Sequence, residues 1–193
     1  MYLIKTEFVK LRRCNILWVG IITLLCAPLL SILQQQSLND PVDNYGYVNL
    51  VNGTIWNNMS FFLPVTLMLL GGYMISREYT DDTLKEIFII PLSYSKLMAG
   101  KIGALLILSV FYSFYSFVLT TGLSILFYPI GLTGIAIIKA LLQICGMGLC
   151  ICISIMPFIC WSGSAKNRFW VGTVLVFVYG ILGIPLAGHG FQD

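Results

Sequence analysis

Five apolar runs, at roughly 16–34, 59–76, 102–127, 134–161 and 169–188, leave this chain little choice of fold. A helix needs about 20 consecutive apolar residues to cross a bilayer. Lipid offers no partner to backbone N–H and C=O groups, so a spanning segment satisfies them internally, as a helix or within a closed barrel. Barrel strands alternate polar and apolar residues, and stretches such as Ile102–Leu108 and Val171–Val178 do not alternate. Only 10% of the 193 residues are charged, against about 25% in soluble domains, which excludes an ordinary globular domain. The expectation is an all-α, polytopic helical membrane protein, with five transmembrane helices in a single domain over 1–193.

The basic residues orient these helices. Lys5, Lys10, Arg12 and Arg13 precede the first run, and Arg77, Lys85, Lys96 and Lys101 lie between the second and third. Lys166 and Arg168 lie between the fourth and fifth. The other loops hold Asp40 and Asp43 but no Lys or Arg, and Lys139, just inside the fourth run, can carry its charge outward along its stem. Lys and Arg concentrate in cytoplasmic loops. The amino terminus and segment 77–101 are therefore expected in the cytoplasm and loop 35–58 outside. That outer loop is polar without being charged, and its Tyr45, Tyr47 and Trp56 suit the headgroup level. Met1–Arg13 is too short and too charged for a cleaved signal. Ile4, Phe8 and Leu11 share one helical face there, the pattern of a helix lying on the inner membrane surface. The same cations serve equally well as a plain topology anchor.

Chemistry-bearing groups are few. The six cysteines avoid the outer loop, which argues against a disulfide framework. Cys145, Cys150 and Cys152 lack the paired spacing of a zinc site, and the single histidine, His189, is at the far end of the fifth run. Gly146, Gly148, Cys150, Cys152 and Ser154 make the fourth run small on its surface, which permits close helix approach, and Gly71-Gly72 does so in the second. The third run is crowded with Phe111, Tyr112, Phe114, Tyr115 and Phe117. Tyr112 and Tyr115 are three apart, share a face, and are candidates to line a path for an amphipathic substrate; core filling or lipid contact is the other reading. No Asp or Glu lies inside any run, which argues against a proton relay or an ion-coupled carrier. No catalytic constellation is found, and no GxxxxGK[ST] loop offers a phosphate cradle. No enzyme activity, metal, cofactor or nucleic-acid binding is expected on this chain. Asn52-Gly53-Thr54 and Asn58-Met59-Ser60 match the glycosylation pattern by chance in an Asn-rich loop.

The long charged island Arg77–Glu86 breaks this greasy pattern. Thr80 is a good helix N-cap, followed by Asp81 and Asp82 in the first turn, where the helix dipole favours negative charge. Asp81 can pair with Lys85 one turn on, while Leu84, Ile87 and Phe88 line one side at helical spacing. Pro91 biases Ile90 away from helix and closes the element. Lys96 and Lys101 would then anchor the third run at the inner surface. The plain alternative is an amphipathic turn lying on lipid.

The series Arg77-Glu78, Asp82-Thr83-Leu84-Lys85, Pro91-Leu92-Ser93, Lys96 and Gly100-Lys101 resembles the segment between the second and third helices of ABC-2-type permeases. Glu7-Phe8-Val9-Lys10-Leu11 and Asn15-Ile16-Leu17-Trp18 resemble that family too, so the likeness covers about the first 110 residues in motif detail and the rest in hydropathy. The resemblance implies a membrane subunit of an ABC exporter in a bacterial plasma membrane, with the amino terminus cytoplasmic. Its coupling helix would be Thr80, Asp81, Asp82, Thr83, Leu84, Lys85, Glu86, Ile87 and Phe88, docking on a separate cytoplasmic ATPase subunit. ATP and Mg would sit on that ATPase, and a second permease subunit, the same or different, would complete the assembly within the lipid. Short bacterial members serve in export of, or self-protection against, antimicrobial peptides such as lantibiotics and bacitracin. The other class of reading is a non-transporting membrane adapter or immunity protein that binds a partner or toxin. The family has six spans with both termini inside, so a sixth helix beyond Asp193 is expected.

Overall fold

The computed structural model describes residues 16–37, 46–80, 94–127, 130–163 and 169–188, and apart from Gly46 and a turn at 130–133 they are all helical. The elements are α1 (Ile16–Ser37), α2 (Tyr47–Asn57), a π-helical segment (Asn58–Phe62), α3 (Leu63–Thr80), α4 (Tyr94–Phe127), α5 (Gly134–Gly163) and α6 (Phe169–Gly188). Four stretches among the described residues are long and apolar enough to cross a membrane: Ile16–Gln34, Tyr47–Ser76, Met98–Phe127 and Gly134–Trp161. A fifth apolar stretch, Trp170–Ile181, lies within the 20-residue α6. The expected surface helix over 1–13 and most of the expected coupling helix lie outside the described residues.

One boundary differs from the sequence expectation. The second span begins not near 59 but at Tyr47, and α2 occupies residues expected as external loop. Asn49, Asn52, Gly53, Asn57 and Asn58 look like turn residues in sequence. Yet Leu50, Val51, Thr54, Asn57 and Asn58 are buried, at the spacing of one helical face. Gly46 marks the entry: the Tyr47 N–H donates to the Ile130 carbonyl at 2.9 Å, tying α2 to the turn before α5. A side chain on Gly46 would press on that same carbonyl.

The π-segment has a cause in the sequence. Pro64 has no N–H to give the Ser60 carbonyl, and in a regular α-helix its ring would collide with that carbonyl. The helix widens instead, and the Leu63 N–H bonds to the Asn58 carbonyl five residues back. The Ser60 carbonyl faces α6, where the absence of a side chain at Gly180 lets the two backbones meet.

The core is built around α3. Its Leu63, Leu67, Met68, Leu70, Met74 and Ile75 pack with Leu24 of α1, Leu105 and Leu108 of α4, Ile155 and Ile159 of α5 and Val176 of α6. Within Tyr47–Ser76 an 18-residue apolar window is 56% buried, against 28% for the window in Gly134–Trp161, so the second span is more central and α5 lies at the periphery. Gly71 sits directly under Ile159, which is how α5 comes close to α3. The outward faces stay apolar: Trp18, Ile22, Phe111, Phe114, Ile153, Trp161 and Trp170 are exposed, as lipid contact requires.

Gly180→Val places branched carbon against the Ser60 carbonyl and should destabilise the bundle by about 1–3 kcal/mol, the usual range for overpacking. The thermal midpoint of the detergent-solubilised protein should fall by several degrees. Gly122→Ala, where nothing lies within 4 Å, should leave it unchanged.

Candidate site: the polar interior and the α3–α4 stem

The interior of the bundle is more polar than its outside. Burying an amide or hydroxyl without a partner is costly, and most such groups here are paired. Asn57 Nδ2 lies 3.1 Å from Ser31 Oγ, 3.3 Å from Gln34 Oε1 and 3.3 Å from the Ala27 carbonyl, so one amide ties α2 to about two turns of α1. Ser31 Oγ is also 3.4 Å from Thr54 Oγ1, which donates to the Leu50 carbonyl at 2.8 Å. Asn58, at the start of the π-segment, turns the other way and donates to Ser116 Oγ of α4 at 2.7 Å. Tyr47 and Thr121 meet at 3.3 Å between their hydroxyls.

On α4 the buried face carries Ser109, Ser113, Ser116, Thr120 and Ser124, while Ile107, Val110, Phe114, Val118 and Ile125 face outward. Small hydroxyl residues let helices approach closely in lipid and bond across the seam. Gly148 of α5 is packed against Ser113, with no room for a side chain. Asn58 Oδ1 and Ser113 Oγ have no hydrogen-bond partner among the described residues.

The small residues of the fourth run therefore divide. Gly148 and Cys152 are buried in the bundle, whereas Cys150 and Ser154 are exposed. Among the described residues no group of three His, Cys, Asp or Glu is placed to hold a metal ion. Asn58, one of the glycosylation matches, is fully buried.

The two tyrosines marked as a substrate path lie at the centre of the molecule. Tyr112 is buried and its hydroxyl donates to the Leu17 carbonyl of α1 at 3.3 Å, over the gap left by Gly20. Tyr115 is half-buried and packs against the main core. Phe111 and Phe114 point outward.

At the other end of the bundle α3 and α4 form a stem. α3 runs to Thr80 through Arg77 and Glu78, and α4 starts at Tyr94 with Lys96 in its first turn, so the chain 81–93 joins two core helices at ends whose sequence is charged. Thr80, expected to cap a new helix, is the last residue of α3. Asp81, Asp82, Thr83, Leu84, Lys85, Glu86, Ile87 and Phe88 lie outside the described residues. Lys101, expected at the inner surface, is instead 2% exposed, and its Nζ donates to the Met74 carbonyl of α3 at 2.6 Å.

Sequence reasoning missed the Asn57–Ser31–Gln34 and Asn58–Ser116 bonds because Asn and Gly clusters signal turns. The signal that could have found them is the spacing of Leu50, Thr54 and Asn57, which is helical and ends in a polar residue.

Residues 3–183 match a family described as ABC-2 family transporter protein. No curated protein and no solved structure matches the chain.

Replacing Asn57 by Leu strands Ser31 and Gln34 and should cost about 1–3 kcal/mol, as for other buried groups that lose a partner. A lowered thermal midpoint in detergent is the expected reading, with exposed Asn52→Leu unaffected.

Proposed function

Because the chain belongs to the ABC-2 transporter family, we propose that it is the membrane permease subunit of an ABC transporter, driven by ATP hydrolysis on a separate cytoplasmic ATPase. The observation that carries the mechanism is the α3–α4 stem. Two core helices are joined by the chain 81–93, and the charged island Arg77–Glu86 spans the end of the first helix and the start of that chain. Residues Thr80–Phe88 dock on the ATPase: Leu84, Ile87 and Phe88 supply apolar contact, and Asp81, Asp82, Lys85 and Glu86 set register at the rim. Interfaces concentrate their energy in a few buried apolar anchors, and rim charges contribute less. ATP and Mg act on the ATPase subunit, and a second permease subunit faces this one across the lipid.

An amphipathic substrate is the cargo class that suits this bundle. No acidic residue lies in the apolar runs, and apart from Lys101 the described interior is lined with hydroxyls and amides instead of charge. Such a lining accepts neutral polar groups and gives an ion no counter-charge. An antimicrobial peptide that partitions into the membrane fits it, with Tyr112 and Tyr115 on the side of α4 from which such a molecule would be handled. Tyr112 can offer its hydroxyl only by releasing the Leu17 carbonyl, so this path opens with a movement of α1 against α4.

Leu84→Asp with Ile87→Asp would bury unpaired charge in the docking groove, which is strongly unfavourable. The double variant should reach the membrane at the wild-type level, fail to retain an ABC ATPase on mild detergent purification, and lose peptide resistance. Retention of the ATPase at the wild-type level would remove the docking role and favour a non-transporting adapter.

A further inference from the structure

Lys101 places a charge where the rest of the described interior has none. It lies about two turns into α4, yet it is 2% exposed. An ammonium in an apolar interior is costly unless its donors are met, and intramembrane charges mark functional positions. A lysine near a helix end ordinarily carries its charge out to the headgroups along its stem. Here the stem instead crosses to the neighbouring helix, where Nζ meets the Met74 carbonyl. The surroundings are closed: Met74, Ile75, Ala104 and Leu105 are core residues, and Gly100 is buried beside it.

The geometry has a mechanical consequence. The bond joins residues 27 apart in sequence, and everything between them is the stem and the segment it carries. α3 and α4 are therefore linked twice, once through the chain at 81–93 and once through the interior at Lys101. Apolar contacts alone allow two helices to slide or splay with little directional penalty. A charge-assisted hydrogen bond is short, directional and stronger than a neutral one. With it in place, a force on the segment is not lost in opening the stem.

We propose that Lys101 is a positioning residue for energy coupling: its ammonium fastens α3 to α4, so that movement of the docked segment drives both helices as one body. The proposal rests on the reading of Thr80–Phe88 as the docking element and adds the residue that carries its motion inward. Lys101 touches neither nucleotide nor substrate.

The test uses the complex with its ATPase, reconstituted in lipid nanodiscs, with nitroxides in a cysteine-free background. One pair, Leu69→Cys and Ala99→Cys, reads α3 against α4; a second, Leu69→Cys and Leu149→Cys, reads α3 against α5. Trapping with ATP and vanadate should leave the first distance narrow and shift the second in the protein that carries Lys101. Lys101→Met keeps the length and volume but removes the charge and the donors. It should retain the ATPase and its basal hydrolysis, broaden the α3–α4 distance and abolish the shift against α5. Lys101→Gln, the milder change should the Met variant aggregate, should broaden the same distance. Lys101→Arg, which keeps charge and donors, should restore both readings. A Met or Gln variant with a narrow α3–α4 distance and a full shift overturns the staple while leaving the docking reading intact. A wild-type complex in which trapped nucleotide shifts neither pair overturns both.

Discussion

In a hydrocarbon layer a polar atom has to find its partner inside the protein, and this requirement organises the whole bundle. It makes every described spanning segment a helix. It turns the amides of Asn57 and Asn58 inward, one to α1 and the other to α4, so that adjacent residues hold opposite neighbours. It explains why the backbone ladder, broken at Pro64, is repaired locally by a wider turn and then covered closely by α6 at Gly180. It also explains why a charged residue at Lys101 is tolerated: its Nζ has a carbonyl within 2.6 Å.

These pairings bear on function through their position. α3 is the most connected helix and ends in the stem, so whatever acts on the segment after Thr80 acts on the centre of the core. α5 meets α3 where Ile159 sits over Gly71, and α6 meets the π-segment where Gly180 lies against Ser60, both by close approach. α1 is joined to α2 through Asn57 and to α4 through Tyr112, contacts that are directional and break at a definite cost.

Much of this was legible in the sequence, for a physical reason. The length and purity of the apolar runs report the solvent, and the solvent dictates helix. The runs expected at 102–127 and 134–161 fall inside α4 (Tyr94–Phe127) and α5 (Gly134–Gly163). The start of the second span was not legible. Asn-rich and Gly-rich composition around 49–58 carries the same signature whether the residues turn in water or bond to neighbouring helices, and only the neighbours decide. Lys101 was misplaced for a related reason: sequence reports that a lysine is near a helix end, and the carbonyl it reaches belongs to another helix. The division of the small residues in α5, with Cys152 buried and Cys150 exposed, was likewise set by what faces them.

The central claim is that the segment following α3 engages an ABC ATPase. The most direct measurement is photo-cross-linking in intact membranes with benzoylphenylalanine in place of Phe88, followed by mass spectrometry of the adducts. The account predicts an adduct with a peptide of an ABC ATPase subunit that changes in yield when nucleotide is trapped. Adducts confined to lipid or to this chain's own helices, with the ATPase present in the same membranes, would contradict it.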